Sequence, residues 1–492
     1  MPVTAMPASR PPERTAAPPH AAALVQRLAT ALARRGVRYC QWKGRVRPDM
    51  PHRTGGDVDL LVDRRHAHAF AEVADALGFK LALAPAEGQV PGVVSYLGVE
   101  PDTDRLVHVH VHYHLVLGRL WTTHYRLPLE EVVLDSAVPH TPFPAPAPQF
   151  ELLLLVLQGT LRHSVRDAVH QSALARRWAT RTALDALELE VSRGALLGAI
   201  AHCVHEVDLA FFDRCRETLE RACPLWRRLI VRRQLERRLR AHAHPRTMAG
   251  AARRLARLPR RVLGRGPTGG KHLVTGGTVV ALVGADGAGK STCARALTHW
   301  LGSELHVHWA HLGRPPRSLA TLAAGALLKS VRWIEARVGM RHGPAGRYFE
   351  LLRYLCTARD RHRAYRRARR AATAGGIAIC ERYPIRENRF LVGPSLAQRG
   401  RLDLTGPLAE FLRHRELAYY ARMAPPDLIF VLRVAPDVAV ARKRDEPADY
   451  VRRRAQRIWE TDWSQSRGRI IDAGRPLAEV LADLRVRLWE AL

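Results

Sequence analysis

Paired cysteines and long apolar runs are both missing from this chain. Its seven cysteines are scattered, odd in number and never spaced as CxxC, which disfavours a disulfide framework or a structural zinc site. No apolar run reaches the length of about 18 residues that a transmembrane helix needs. The first residues carry proline and arginine where a signal peptide has an apolar stretch. We therefore expect a cytoplasmic protein.

Lysine is also rare, with six residues among the 78 Lys and Arg, yet the net charge is +32. Arginine beside abundant alanine is typical of GC-rich genomes, but codon bias does not explain why bases outnumber the 46 acids. The excess points to anionic partners: phosphates, nucleotides, acidic lipid or nucleic acid. Because 47% of the residues are apolar, most of the 492-residue chain can fold. That length predicts about two to four domains.

Stretches rich in proline or glycine divide the chain. Residues 1–20 hold six prolines and little apolar content, which predicts a disordered tail. Five prolines in 139–148 and six glycines in 264–277 mark two linkers. The predicted order is a tail (1–20), an α+β domain (21–148), a basic helical region (149–263), a linker (264–277) and an α/β domain with a parallel sheet and flanking helices (278–492).

The α/β domain begins with a phosphate-binding pattern. Residues 278–283 predict a strand, GADGAGKS at 284–291 fits GxxxxGK[ST], and a helix is predicted from Thr292. Glycines let backbone N–H groups close around phosphate oxygens, and the helix N-terminus adds positive charge. We expect ATP and Mg²⁺, with Lys290 on the β- and γ-phosphates and Ser291 on the ion. The predicted cofactor-binding residues are Gly284, Asp286, Gly287, Ala288, Gly289, Lys290, Ser291 and Thr292.

A second predicted strand, 377–380, ends in Glu381-Arg382. Helicases and transporters would show an acidic pair there, and GTPases would carry an NKxD guanine reader, which the chain lacks. A single carboxylate suits Mg²⁺ or its water, so Glu381 is a predicted metal residue. The arginine that follows suits a second, acceptor phosphate held in line with the donor.

Several separated segments of residues 276–492 resemble the thymidylate kinase family of nucleoside-monophosphate kinases. They read GADGAGKST (284–292), LCTARDRH (355–362), CERY (380–383, where the family usually has Asp-Arg-Tyr), PDLIFVLRV (426–434) and IIDAG (470–474). The resemblance implies a P-loop kinase fold. It also implies transfer of the ATP γ-phosphoryl to a nucleoside monophosphate, dTMP or a relative.

The same resemblance implies roles for single residues. Arg361 and Arg382 hold the acceptor, with Arg314 and Tyr383 beside it. Arg442 and Arg444 close over the transferring group as a lid and neutralise its charge. The implied catalytic set is Lys290, Glu381, Arg382, Arg442 and Arg444. Residues 318–347 are predicted to be an insertion.

The α+β domain carries a carboxylate pair, Asp57 and Asp59, in GGDVDLLV at 55–62. On a strand both side chains face one side and can share a metal ion. Together with YCQWKG (39–44) and residues 145–163, this run resembles the nucleotidyltransferase superfamily over residues 21–165. His110 stands where that superfamily has a third carboxylate. The resemblance therefore implies nucleotide binding without turnover, or work with one ion.

Histidines alternate along the predicted strand 106–115, at His108, His110, His112 and His114. All four can face one side, where imidazoles would either bind Zn²⁺ or Ni²⁺ or line the cleft beside the aspartates.

The basic helical region has 14 arginines and one acid between residues 226 and 265. Its leucine stripes suit packing on a neighbouring domain, or lying on an anionic membrane. Nucleic acid is disfavoured as a partner, because Trp226 alone offers base stacking there. A homodimer is compatible with the sequence.

Two other functions stay open at this point. One is a kinase for a sugar or lipid-linked intermediate in surface polysaccharide synthesis. The other is a nucleotide-binding scaffold or sensor with little turnover.

Overall fold

The computed structural model describes residues 23–43, 57–85, 89–118, 124–163, 182–220, 222–244, 270–340, 343–384, 406–463 and 467–492. The predicted tail at 1–20 lies outside the described residues, as does the part of the arginine-rich segment (226–265) that follows residue 244. The α-helices whose two ends both lie among the described residues are α1 Ala23–Arg34, α2 Ala67–Ala76, α3 Glu130–Asp135, α4 Pro148–Leu161, α5 Arg193–Cys203, α6 Leu209–Glu217, α7 Leu225–Arg238, α8 Lys290–Gly302, α9 Leu319–Arg337, α10 Pro344–Thr373, α11 Pro407–Ala421, α12 Pro436–Arg442, α13 Ala448–Glu460 and α14 Leu477–Ala491.

The strands form three sheets. Their bounds are β1 Tyr39–Lys43, β2 Val58–Val62, β3 Lys80–Leu83, β4 Val93–Val99, β5 Leu106–His112, β6 Leu115–Gly118, β7 His124–Leu127, β8 Ala243–His244, β9 His272–Leu273, β10 Thr278–Gly284, β11 Val307–His311, β12 Ile377–Glu381, β13 Leu428–Arg433 and β14 Gly468–Asp472. The sheet orders are β1-β2-β5-β4-β3-β9, β6-β7-β8 and β11-β12-β10-β13-β14.

The N-terminal sheet is mixed. β2 and β5 pair in parallel, with Asp59 opposite His110, whereas the other neighbouring strands are antiparallel. Apolar side chains of α1 and α2, such as Leu28 and Phe70, share a core with Leu60 and Val111 of the sheet. The predicted strand 106–115 is broken after His112, and the chain resumes in a different sheet at β6.

All neighbouring strands of the C-terminal sheet are parallel. β12 is buried along its whole length and β10 is buried after its first residue. Such continuous burial is expected when helices cover both faces of a parallel sheet. The α/β prediction for this part of the chain is confirmed. Its first helix begins at Lys290, two residues before the predicted start.

Helices α4 to α7 pack with the hairpin β6–β7 around a second core. That core also contains Cys40, Trp42 and Leu61 from the N-terminal sheet. The region predicted as purely helical includes the two-residue strand β8. The predicted insertion contains the 19-residue helix α9, which lies along α10.

The described parts of the two predicted linkers are more ordered than their composition indicated. In the proline-rich segment, Phe143 and Ala145 are buried, and the carbonyl of Pro144 accepts a hydrogen bond from Gln41 N at 2.7 Å. The description of 139–148 as a plain linker is therefore wrong, because its apolar residues fill the core against β1. The second linker contains β9, which pairs with β3 at Ala82 and Leu83.

This edge strand joins the N-terminal sheet to the C-terminal unit (residues 270–492). Ala82 and Leu97 share a core with residues of the C-terminal sheet. Trp300 Nε1 donates to the Asp104 carbonyl at 2.7 Å, and Trp489 Nε1 donates to the Gly78 carbonyl at 2.9 Å. Of the helices that the structure describes, none has the length and apolarity needed to cross a bilayer.

Candidate active site

The glycine-rich loop (residues 284–289) connects β10 to α8 and needs its glycines for backbone reasons. Gly287 and Gly289 have φ values of 84° and 80°, a left-handed conformation that disfavours other residues. A Cβ on Gly287 would lie 2.5 Å from the Ala439 carbonyl oxygen. The loop therefore passes too close to α12 for a side chain, and its backbone leads directly into the N-terminus of α8.

Lys290 is the first residue of α8, and its side chain is buried inside the loop. The Nζ atom donates a hydrogen bond to the carbonyl of Ala285. Burial, with the charge of Arg382 as the next cause, lowers the pKa of Lys290 to about 7. An ammonium in this position would gain from an anion placed at the loop.

Ser291 and Glu381 meet at the carboxyl end of the C-terminal sheet. β10 and β12 are parallel neighbours, with Leu282 opposite Glu381, so the loop after one strand lies beside the last residue of the other. Ser291 Oγ donates to Glu381 Oε2 at 2.8 Å, and Trp309 Nε1 donates to Oε1 at 3.2 Å. The Glu381 side chain is fully buried. A hydroxyl and a carboxylate at hydrogen-bond distance are oxygen ligands suited to Mg²⁺ and its waters.

Asp286 holds two arginines beside this loop. Arg382 Nη2 donates to Asp286 Oδ1, and Arg454 Nε lies 3.1 Å from Oδ2. Burial alone would raise the pKa of Asp286, but the charges of Arg382, Lys290 and Arg454 hold it below its usual value. Arg382 has a φ of 59°, a strained conformation for a non-glycine residue that is common at functional sites.

Arg454 was not predicted from the sequence. It lies on α13 within a run of three arginines, and nothing in that run distinguishes it from its neighbours. Only the fold brings it to a carboxylate 168 residues earlier in the chain.

Two of the residues predicted to bind the acceptor, Arg361 and Tyr383, are buried and hydrogen-bonded within the protein. Arg361 is buried; its Nε donates to the Leu312 carbonyl at 2.6 Å and its Nη1 to the Tyr420 hydroxyl. Tyr383 is also buried, and its hydroxyl lies 3.1 Å from the carbonyl oxygens of Met423 and Ala424. Tyr383 therefore has a packing role in this arrangement.

Three further predicted residues lie towards the solvent. Arg314 is exposed and follows the carboxyl end of β11, at the same edge of the parallel sheet as Glu381. Arg442 ends α12, and its Nη1 donates to the Ala473 carbonyl at 2.7 Å, which ties this helix to the loop after β14. Arg444 is exposed and turns back onto the Ala441 carbonyl at 3.3 Å. The structure therefore brings Lys290, Ser291, Glu381, Asp286 and Arg382 together, and leaves Arg442 and Arg444 at the margin.

A separate polar group lies between β2 and β5 in the N-terminal sheet. His108 Nδ1 is 2.8 Å from Asp57 Oδ1, and His112 Nε2 is 2.9 Å from Asp59 Oδ1. His110 Nδ1 lies 3.5 Å from the same Asp59 oxygen. Burial alone would raise the pKa of Asp59, but bonds from His110 and His112 hold it well below its usual value. His114 lies beyond the end of β5 and contacts Glu130 instead, so the expectation that four histidines share one face is wrong for this residue.

Comparison with known proteins gives distant likenesses. No family model matches the chain. A protein named "uncharacterized ATP-binding protein YghR" from Escherichia coli K12 is 27% identical over 219 residues, which cover 41% of this chain and 83% of that protein. The protein of the same name from Escherichia coli O6:H1 strain CFT073 matches to the same extent.

Replacing Asp286 by Asn tests the charge group at the loop. The change leaves Arg382 and Arg454 without their anion, and we expect a loss of about 1–3 kcal/mol of unfolding free energy at pH 7. Because the folded-state pKa of Asp286 is lowered, its contribution is present above the unfolded value and is lost as the pH falls. The difference between the two proteins should therefore shrink below about pH 4. Urea unfolding at several pH values measures it.

The matched control is Asp437→Asn, which removes an exposed pair with Arg452. We expect this control to change the unfolding free energy by less than about 0.5 kcal/mol. Equal effects from the two substitutions would contradict a special role for Asp286.

Proposed function

We propose that the C-terminal unit is an ATP-dependent phosphotransferase of the P-loop kinase type, resembling thymidylate kinase. The observation that carries this proposal is the contact of Ser291 with the buried Glu381 at 2.8 Å, directly beside the buried Lys290. These three groups supply a hydroxyl, a carboxylate and an ammonium at one end of a parallel sheet. Phosphoryl transfer needs such a set, because its catalysis is mostly positioning and charge stabilisation.

ATP is the proposed donor. The GxxxxGK[ST] spacing and the left-handed glycines of the loop support it. The printed name of the two Escherichia coli relatives supports ATP binding as well. Ser291 and, directly or through water, Glu381 would hold Mg²⁺, which would supply positive charge to offset that of the phosphate oxygens. Lys290 would exchange the Ala285 carbonyl for phosphate oxygens.

The proposed acceptor is a nucleoside monophosphate, dTMP or a relative. Arg361 supports an anionic acceptor, because its two observed bonds engage Nε and Nη1 and a guanidinium has five N–H donors. Arg382 directly follows β12, and the Asp286 carboxylate accepts a hydrogen bond from its Nη2 and so orients it. Two guanidinium groups in these places would fix an acceptor phosphate in line with the donor.

A sugar or a lipid-linked intermediate is a second candidate acceptor, and the positions of Arg314 and Tyr383 favour it. Arg314 is exposed and the Tyr383 hydroxyl is engaged with backbone carbonyls, so neither supports recognition of a base. A kinase for a sugar or a lipid-linked intermediate would need fewer such contacts. Measuring ATP consumption with nucleoside monophosphates, sugars and sugar phosphates as acceptors separates the two. Turnover with none of them would favour a nucleotide-binding scaffold or sensor.

Lys290→Ala tests phosphoryl transfer itself. Removing the cation should lower kcat by roughly 10²-fold or more, because the charge that develops on the phosphoryl group loses its stabiliser. Coupled-enzyme measurement of ADP release gives the rate, and a thermal melt shows whether the fold survives. Lys329→Ala, at an exposed lysine of α9, is the matched control and should keep full activity. A Lys290→Ala protein that turns over ATP at the wild-type rate would exclude the proposed reaction.

Arg361→Ala tests the acceptor site. The loss of charged hydrogen bonds to a phosphate should raise the acceptor KM by roughly 10- to 100-fold and leave the ATP KM nearly unchanged. Tyr420→Phe removes the hydroxyl that Arg361 contacts but keeps the guanidinium, and should change the acceptor KM much less. The assignment of Arg361 to the acceptor fails if its loss raises the ATP KM instead.

A further inference from the structure

The N-terminal sheet carries a group of metal-ligating side chains that the proposed kinase reaction does not use. Asp57 immediately precedes β2 and Asp59 lies within it, two residues further on, while His108, His110 and His112 lie at alternate positions of β5. The two strands are parallel neighbours, with Asp59 opposite His110, so all five side chains meet on one face of the sheet. The alternation within each set follows from local sequence, but the parallel register of β2 and β5 brings the two sets together.

We propose that Asp59, His110 and His112 form a binding site for one divalent transition-metal ion of the Zn²⁺ type. One oxygen and two imidazole nitrogens of these residues lie within 4.8 Å of one another. The Asp59 Oδ1 atom is 3.5 Å from His110 Nδ1 and 2.9 Å from His112 Nε2. Ligand atoms of a tetrahedral zinc ion are about 3.3 Å apart, since each bond is about 2.0–2.1 Å long. Small side-chain movements would therefore complete three ligands and leave a fourth position open.

The ligand types decide which ion fits. Mg²⁺ and Ca²⁺ prefer oxygen atoms, and a site with two imidazoles offers them a single carboxylate. Zn²⁺, Ni²⁺ and Co²⁺ bind imidazole well. The sequence resemblance of residues 21–165 to the nucleotidyltransferase superfamily, in which two-metal transfer uses carboxylates, would imply Mg²⁺. The residues that the structure brings together favour a different class of ion.

A second set, Asp57, His108 and His110, also lies within 4.8 Å. It shares His110 with the proposed set, so one His110 nitrogen cannot serve both at once. The Asp57 side chain is half exposed, and His108 Nδ1 also lies 3.4 Å from Glu304 Oε2, which is paired with Lys271. Asp59 and His112 are better enclosed, which favours the proposed set.

Two features limit the expected affinity. The other ring nitrogen of His112, Nδ1, is buried without a hydrogen-bond partner among the described residues. Metal-binding histidines usually donate from that second nitrogen, and losing such a bond weakens binding by about 10- to 100-fold. Lys43 adds an opposing positive charge next to Asp59. We therefore expect roughly micromolar Zn²⁺ binding, weaker than in structural zinc sites.

Metal titration of the full-length, tag-free protein tests the proposal, and its readout is independent of kinase activity. Competition with a chromogenic chelator should show one Zn²⁺ bound per chain in preference to Mg²⁺. Co²⁺ in its place should give the visible absorption of a four-coordinate site. Zn²⁺ that binds no more tightly than Mg²⁺, or no saturable binding of one ion, would overturn the proposal.

Single substitutions identify the ligands. Asp59→Asn and His112→Gln should each weaken Zn²⁺ binding by roughly 10- to 100-fold or more. Loss of a group that only hydrogen-bonds to a metal ligand has an effect of this size, and loss of the ligand itself should have at least as large an effect. His114→Ala is the matched control, because His114 continues the histidine alternation but contacts Glu130. An equal loss in this control, or a loss with His108→Gln but none with His112→Gln, would overturn the assignment. Thermal melts of the metal-free variants show that each is folded.

His110→Asp gives a gain-of-function check that a misfolded variant cannot imitate. It places a second carboxylate beside Asp59, where a hard ion prefers oxygen to nitrogen. Mg²⁺ or Mn²⁺ should bind more tightly to this variant than to the wild type, while Zn²⁺ binds more weakly. Unchanged affinity for both kinds of ion would mean that His110 does not act as a ligand, and the proposed site would be wrong.

Discussion

The burial of the Lys290 ammonium is the constraint on which the C-terminal unit depends. A charged group inside a protein loses its hydration, at a cost of several kcal/mol that neighbouring groups must offset. Here the offset comes from the Ala285 carbonyl, which accepts a hydrogen bond, and from the carboxylates of Asp286 and Glu381. The offset is incomplete, because the pKa of the lysine remains lowered to about 7. A bound anion would therefore stabilise the charged form of Lys290 further.

The arrangement of strands brings further polar and charged groups to the edge of the sheet where Lys290 lies. β10 lies between β12 and β13 in a parallel sheet, so the loops after all three strands meet at one edge. Ser291 therefore reaches Glu381, and the loop passes against α12. Asp286 then adds Arg382 and Arg454 to the same edge. Cations of three separate segments, Lys290, Arg382 and Arg454, therefore lie at this edge, where the phosphate groups of a bound nucleotide would carry several negative charges.

Much of this could be predicted from local sequence, because the determining features are local. A β-branched run, a glycine-rich loop with GK[ST] spacing and an apolar strand ending in Glu381 each follow from neighbouring residues. The pairing of Arg454 with Asp286 could not be predicted, since it depends on where α13 packs. The strand β9 was read as linker because two residues are too few for a hydrophobic period. The histidine strand was predicted three residues too long, because alternation continues in sequence to His114 although the pairing changes after His112.

Because the pKa of Lys290 is lowered to about 7, we expect its amine to be mostly neutral at pH 8 without nucleotide and charged when phosphate is bound. Isothermal titration with a non-hydrolysable ATP analogue and Mg²⁺ at pH 8, in two buffers of different ionisation enthalpy, measures the protons exchanged on binding. With a starting pKa of about 7, the wild type should take up close to one proton per nucleotide. Lys290→Arg, which stays charged, should take up almost none. Binding without proton uptake in the wild type, or no binding at all, would contradict the proposal that the Lys290 ammonium binds the phosphates of ATP.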